Sequence, residues 1–227
     1  MIQALFPHMA GQWPLAWQAT WETIQITVLT MVIAGILGVI LGVALLLAGP
    51  GGLKENRIVY WILDKITDIG RAIPFIILLV AIIPLTRLLV GTSVGTAAVT
   101  VPIVVGTIPF FARQVQNALL EVNPGVVEAA QSMGTSIWGI IFRVFLKEGL
   151  VSLLRAFNFT VIAVIGLTAM AGIVGGGGLG NMAVQLGYDN GNNDITLLAL
   201  LLTLLIVFIT QVLGNLAIRW ASHGRHN

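Results

Sequence analysis

Three groups of residues have the types and spacing that chemistry could use. Gly175, Gly177 and Gly180 satisfy G-x-G-x-x-G, a pattern that cradles a pyrophosphate when it joins a strand to a helix. Glu128-Ala129-Ala130, with Gly134 following, combine a carboxylate, two small side chains and a flexible joint, which suits recognition of a partner backbone. Asp64, Asp68 and Arg71 recur at helical spacing and so line one helical face. His8, His223 and His226 lie near the two ends without H-E-x-x-H or other metal-ligand spacing, and the tail pair is expected to be solvated.

The glycines follow an apolar stretch rather than a strand, and no G-K-[ST] occurs in the chain. They are therefore expected to let the end of a membrane span unwind or pack closely, or to line or support a gate. Met170 precedes them and is either a soft thioether contact in that pathway or ordinary packing. Asn158, Thr160 and Thr168 are expected to hydrogen-bond between helices. With no nucleophile, base or metal constellation and no cysteine, neither catalysis nor thiol chemistry has a candidate site.

The elements that position these groups are membrane spans. Hydrophobic residues make up 57% of the 227 residues, charged residues only 9%, and mean hydropathy is +0.99, which is too apolar for an ordinary soluble domain. At about 20 residues per crossing, the sequence predicts five spans. These cover about 24–48, 60–85, 94–111, 150–174 and 195–218. Gly49-Pro50-Gly51-Gly52 stops the first, and Pro102 and Pro109 predict that the third is kinked and buried in protein. Under this arrangement Arg87 alone lies on one side, and the other ten Lys and Arg lie opposite. The N-terminus is accordingly expected outside, with the polar island at about 113–150 and the C-terminus in the cytoplasm. The net charge of only +2 gives no argument for nucleic acid.

The first 20 residues have no Lys or Arg, so a cleavable signal peptide is not expected. Trp13, Trp17 and Trp21 share a helical face, as anchoring at the outer membrane interface requires; stacking on a ligand is the other reading. Within the island, Asn123-Pro124-Gly125 can start a helix. Val126, Ala130, Met133, Ile137 and Ile140 or Ile141 then recur as one apolar stripe that needs a cover. Gly134 is expected to bend this stripe into two short helices.

Glu128, Ala129, Ala130, Gly134, Val144 and Leu146 resemble the EAA loop of ABC importer permeases, which reads EAA, three residues, Gly, nine residues and an apolar stretch ending in Leu-Pro. Lys147 stands where the family usually has Pro. The resemblance extends to Arg71–Leu79, Ile83–Arg87, Val90–Ser93 and Gly175–Gly180, segments similar to those of permeases of methionine-uptake ABC transporters. It implies an all-α membrane protein of the type I importer permease fold, forming a single transmembrane domain over 1–227 in a bacterial inner (cytoplasmic) membrane. The implied assembly is a homodimer with two ATPase subunits that bind ATP and Mg, and an external methionine-binding protein, often a lipoprotein. This chain itself is expected to hydrolyse nothing and to hold no cofactor or metal. Glu128, Ala129, Ala130, Met133, Gly134 and Ile137 would couple to the ATPase, and Met170, Gly175, Gly177 and Gly180 are candidates for the pathway or gate. Another small amino acid, peptide or osmolyte as cargo stays open. A stand-alone ion-coupled carrier would need ionisable groups deep in the spans, and four of the five have essentially none in their central portions.

Overall fold

The computed structural model describes His8 and residues 13–223, and among these every regular element is helical. Helix α1 (Trp13–Ala48) is apolar apart from Glu22 and a few uncharged polar residues, and gives way at Gly49 to the glycine and proline cluster. Asn56 then accepts from the N–H groups of Ile58 and Val59 and starts α2 (Arg57–Ala72). Next come α3 (Phe75–Ala81), α4 (Ile83–Val90), α5 (Thr96–Leu120), α6 (Pro124–Ser132) and α7 (Ile137–Ile140). A π-helical turn at Ile141–Phe145 leads into α8 (Leu146–Glu148) and α9 (Leu150–Gly172). After α10 (Gly178–Asn181), a second π-helical turn at Met182–Gly187 and a 3-10 turn at Tyr188–Asn190 lead into α11 (Asn193–His223).

By length and composition, four helices among the described residues are long and apolar enough to cross a membrane: α1, α5, α9 and α11. The stretch read as a second span, about 60–85, appears as α2, α3 and α4 in succession. Pro74 caps α3 and disfavours helical geometry at Ile73, and Pro84 occupies the first turn of α4. Helix α5 runs as one helix through Pro102 and Pro109, both buried. Half of its most apolar stretch is buried, against 17% for α11.

Contacts divide the chain into two compact units. The first comprises 1–33, 73–106 and 161–211; the second comprises 34–72, 107–160 and 212–227. The first has two apolar clusters. One joins Ala16 and Ala19 to Leu179, Met182, Ile195 and Leu198, and the other joins Ile26 and Met31 to Leu79, Val99, Ile103 and Val164. The second unit is built on Leu46, Phe111, Val115 and Leu119, packed with Ala130, Ile140, Val144 and Phe145.

Buried threonines mostly satisfy themselves. Thr23, Thr27, Thr100 and Thr160 each donate to the carbonyl four residues back, and Thr168 donates to Ile165 O at 2.7 Å. Thr160 and Thr168 thus bond within their own helix, where the sequence suggested bonds between helices, because a hydroxyl in an apolar helix finds its own turn first.

Candidate functional site

The island folds as a short, locally fastened helical pair in the second unit. The Asn123 side chain accepts from Gly125 N at 2.8 Å, and Pro124 opens α6 where no N–H is needed. The helix ends at Gly134, whose φ of 74° is left-handed. Gly134 N donates to Gln131 O and Thr135 N to Ala130 O, the paired bonds of a Schellman stop. The Ser136 hydroxyl accepts from Gly139 N at 3.2 Å and opens α7. Each joint is closed by bonds of a few residues' range, so the pair keeps its shape without help from distant chain.

Burial splits the stripe expected from periodicity. Ala130, Ile140 and Ile141 are buried and Ile137 is half-buried, but Val126 and Met133 are exposed, Met133 at 78%. The left-handed residue at 134 resets the helical phase, so spacing counted through it to Ile137 does not keep one face, and before it only Ala130 of the stripe is turned inward. Glu128 and Ala129 are also exposed, as are Trp138 and Phe142, whose rings stack at 6.2 Å. The pair therefore buries one side on its own core and presents another of mixed character. A cleft of about 310 Å³ beside it is lined by Leu47, Pro50, Leu53, Val127, Glu128 and Gln131.

Arg113, the first residue of the expected island, lies within α5 and meets the acids of α2. Its guanidinium donates to Asp64 at 2.6 Å, Asp68 at 2.9 Å and Gln116 at 2.7 Å. Arg71 stands 3.8 Å from Asp68. The polar face of α2 is thus turned to a cation on another helix, which neutralises acids that an apolar setting would otherwise penalise.

The glycine run lies in the first unit. Gly175, Gly177 and Gly178 have φ between 70° and 82°. Glu22 of α1 accepts from Gly178 N at 2.7 Å, and Thr23 accepts from Leu179 N at 2.9 Å. A side chain at 177 would bring a Cβ to 2.7 Å from the Glu22 carboxylate, and one at 178 would sit 2.8 Å from the Thr23 hydroxyl. Gly175 O accepts from Gly95 N at 2.9 Å. Gly180 packs on Ala169, where a Cβ would overlap the Ala169 carbonyl oxygen. Met170, in the last turn of α9, is 41% exposed, and the neighbouring Ile173 and Val174 are exposed as well.

Residues 38–222 match the family of binding-protein-dependent transport system inner membrane components. The chain belongs to that family. It is 46% identical over 169 residues to a probable D-methionine transport system permease protein of Pasteurella multocida, covering 74% of this chain and 78% of the relative. It is 44% identical over 172 residues to the methionine import system permease protein of Bacillus subtilis, covering 76% and 78%. Its structure is similar to a chain of the inward-facing MetNI methionine ABC transporter, with a TM-score of 0.91, 39% identity, and 93% and 98% of the two chains covered. A likeness at 16% identity to an amino acid ABC transporter, with a TM-score of 0.78, reflects the shared fold.

As an inner membrane component of this family, the protein is a multi-pass membrane chain with its exposed apolar helix faces suited to lipid. Sequence reasoning passed over two of its residues, Glu22 and Thr23, which lie before the matched region begins. The available signal was that Glu22 is the one charged residue in α1. An isolated carboxylate beside a long apolar run calls for a partner.

Proposed function

We propose that this chain is the permease subunit of an ATP-driven methionine importer that works by alternating access. What carries the reading is the likeness, at 39% identity across 93% of the chain, to a chain of a methionine ABC transporter. Two copies of the chain form the pathway as a single transmembrane domain each, and the stretch at about 60–85 supplies a fifth crossing alongside the four long helices. The N-terminus lies outside, and the island at about 113–150 and the C-terminus lie in the cytoplasm, in keeping with the positive-inside rule. Two ATPase subunits bind ATP and Mg and carry out the hydrolysis. An extracytoplasmic methionine-binding protein delivers the cargo.

Coupling runs through the α6–α7 pair. Glu128, Ala129, Met133 and Gly134 are available to the ATPase, Ile137 is half-buried, and Ala130 and Ile140 hold the pair against the permease core. Two small residues beside an exposed carboxylate allow a partner backbone to approach and be hydrogen-bonded. ATP-driven closure of the ATPase dimer moves the pair, and the helices switch between inward and outward access. Met170 and the glycines 175, 177 and 180 belong to the pathway or its gate.

The test is uptake of labelled methionine into liposomes holding this chain with its ATPase and binding protein, in competition with unlabelled amino acids. Uptake that needs ATP and is abolished by excess methionine alone is the expected result. ATP-driven uptake of a different solute would discard the cargo, and transport without the ATPase would overturn the reading.

A further inference from the structure

The glycine loop between α9 and α10 is tied down by two adjacent side chains of α1, 156 residues away. Both donors they satisfy, Gly178 N and Leu179 N, open the four-residue helix α10 and have no partner within it. In an apolar surrounding such donors cannot be left open. The bonding at the acceptors is complete. One Glu22 oxygen accepts from Gly178 N and the other from Gln18 Nε2 at 2.8 Å, while the Thr23 hydroxyl donates to Ala19 O at 3.0 Å and accepts from Leu179 N. Glycine at 177 and 178 is what lets α1 come this near. On its other side the loop is bonded to Gly95, just before α5, and a Cβ at Gly176 would strike Val99.

From this we infer that Glu22 and Thr23 are positioning residues for transport: they clamp the glycine loop at Gly178 and Leu179 to α1, so that the loop moves together with α1. The inference rests on the proposed importer function. Without the clamp, the loop's left-handed glycines leave it free to shift independently of α1, and solute passage separates from the ATPase cycle.

The test compares Glu22→Ala, Glu22→Gln and Thr23→Val in the reconstituted complex, reading methionine uptake, ATP hydrolysis and subunit assembly. Glu22→Ala is expected to assemble and hydrolyse ATP while uptake per ATP falls about fivefold, a shift of the size found for residues that carry coupling. Glu22→Gln keeps a carbonyl oxygen for Gly178 N–H and is expected to stay near wild type. Thr23→Val keeps the volume, loses the acceptor and is expected to follow Glu22→Ala. Unchanged coupling in Glu22→Ala, equal loss in Glu22→Gln, or failure of both Glu22→Ala and Thr23→Val to assemble would overturn the inference, the last by making the clamp a folding brace. Hydrogen exchange at Gly178 and Leu179 reads the clamp without any transport. Protection in wild type that is lost in Glu22→Ala, together with absent methionine uptake by wild type, would locate the failure in the proposed function rather than in the clamp.

Discussion

The α6–α7 pair and the glycine loop are two irregular regions of the molecule, and they are held in opposite ways. Each contains left-handed glycine and leads into a π-helical turn. The α6–α7 pair is fastened by its own residues, through the Asn123 cap, the Schellman stop at Gly134 and the Ser136 cap. The glycine loop is fastened by distant residues, Glu22, Thr23 and Gly95. A locally closed element keeps its shape while it is displaced, whereas a remotely closed one must carry its anchors along. Their surroundings differ in charge as well. By sequence, the second unit has ten Lys and Arg against six Asp and Glu, and the first has one Arg against three acids.

The largest effect in the unit that holds the α6–α7 pair is expected from removing the Arg113 cation that meets the acids of α2. Arg113→Ala leaves Asp64 with only the more distant Lys65, at 3.9 Å, where the Arg113 and Asp64 side chains are at most 20% exposed. It is expected to cost about 3 kcal/mol of stability, read as thermal unfolding in detergent, because a poorly compensated charge remains. The triple neutral variant Arg113→Gln, Asp64→Asn, Asp68→Asn should recover much of that loss. Ala130→Leu comes next, with about 2 kcal/mol lost by overpacking the core of the second unit. Ala129→Leu, at an exposed position, is expected to leave stability within about 0.5 kcal/mol while weakening association with the ATPase. Pull-down of the ATPase against melting temperature separates the two.

Gly134→Ala tests the joint itself. No atom lies near the added methyl, so the expected cost of about 1 kcal/mol is the left-handed backbone alone, and Gly134→Asn should cost less. The smallest effect is expected at Met170→Ala. A side chain exposed to 41% leaves stability within about 0.5 kcal/mol, so any change in uptake rate would reflect the pathway rather than the fold.

Much of this arrangement could be read in the sequence. Length and apolar runs sufficed for α1, α5, α9 and α11, and Asn123-Pro124 and Gly134 marked the ends of α6 because caps and stops are local signals. That the 60–85 stretch is divided into α2, α3 and α4 was not legible, because hydropathy averages across Pro74 and Pro84, which interrupt hydrogen bonding without lowering apolarity. Val126 and Met133 were grouped with Ala130, which is buried, because spacing identifies an apolar stripe without telling which part of it meets the core. The partners of the glycine loop were not legible, since a bond between residues 22 and 178 leaves no pattern in either segment. The acids of α2 were recognised as a stripe, but only the structure assigns them Arg113.

The self-bonded threonines have a consequence for how the chain is made. Thr23, Thr27, Thr100 and Thr160 return their hydroxyls to their own helices. A helix leaving the ribosome and entering lipid therefore carries these groups already satisfied and need not wait for later segments. Two of the ties that do reach across the chain impose an order on biogenesis. The acids of α2 lack the Arg113 guanidinium until α5 has been synthesised, and Glu22, among the earliest residues made, keeps one carboxylate oxygen open until synthesis has passed Gly178.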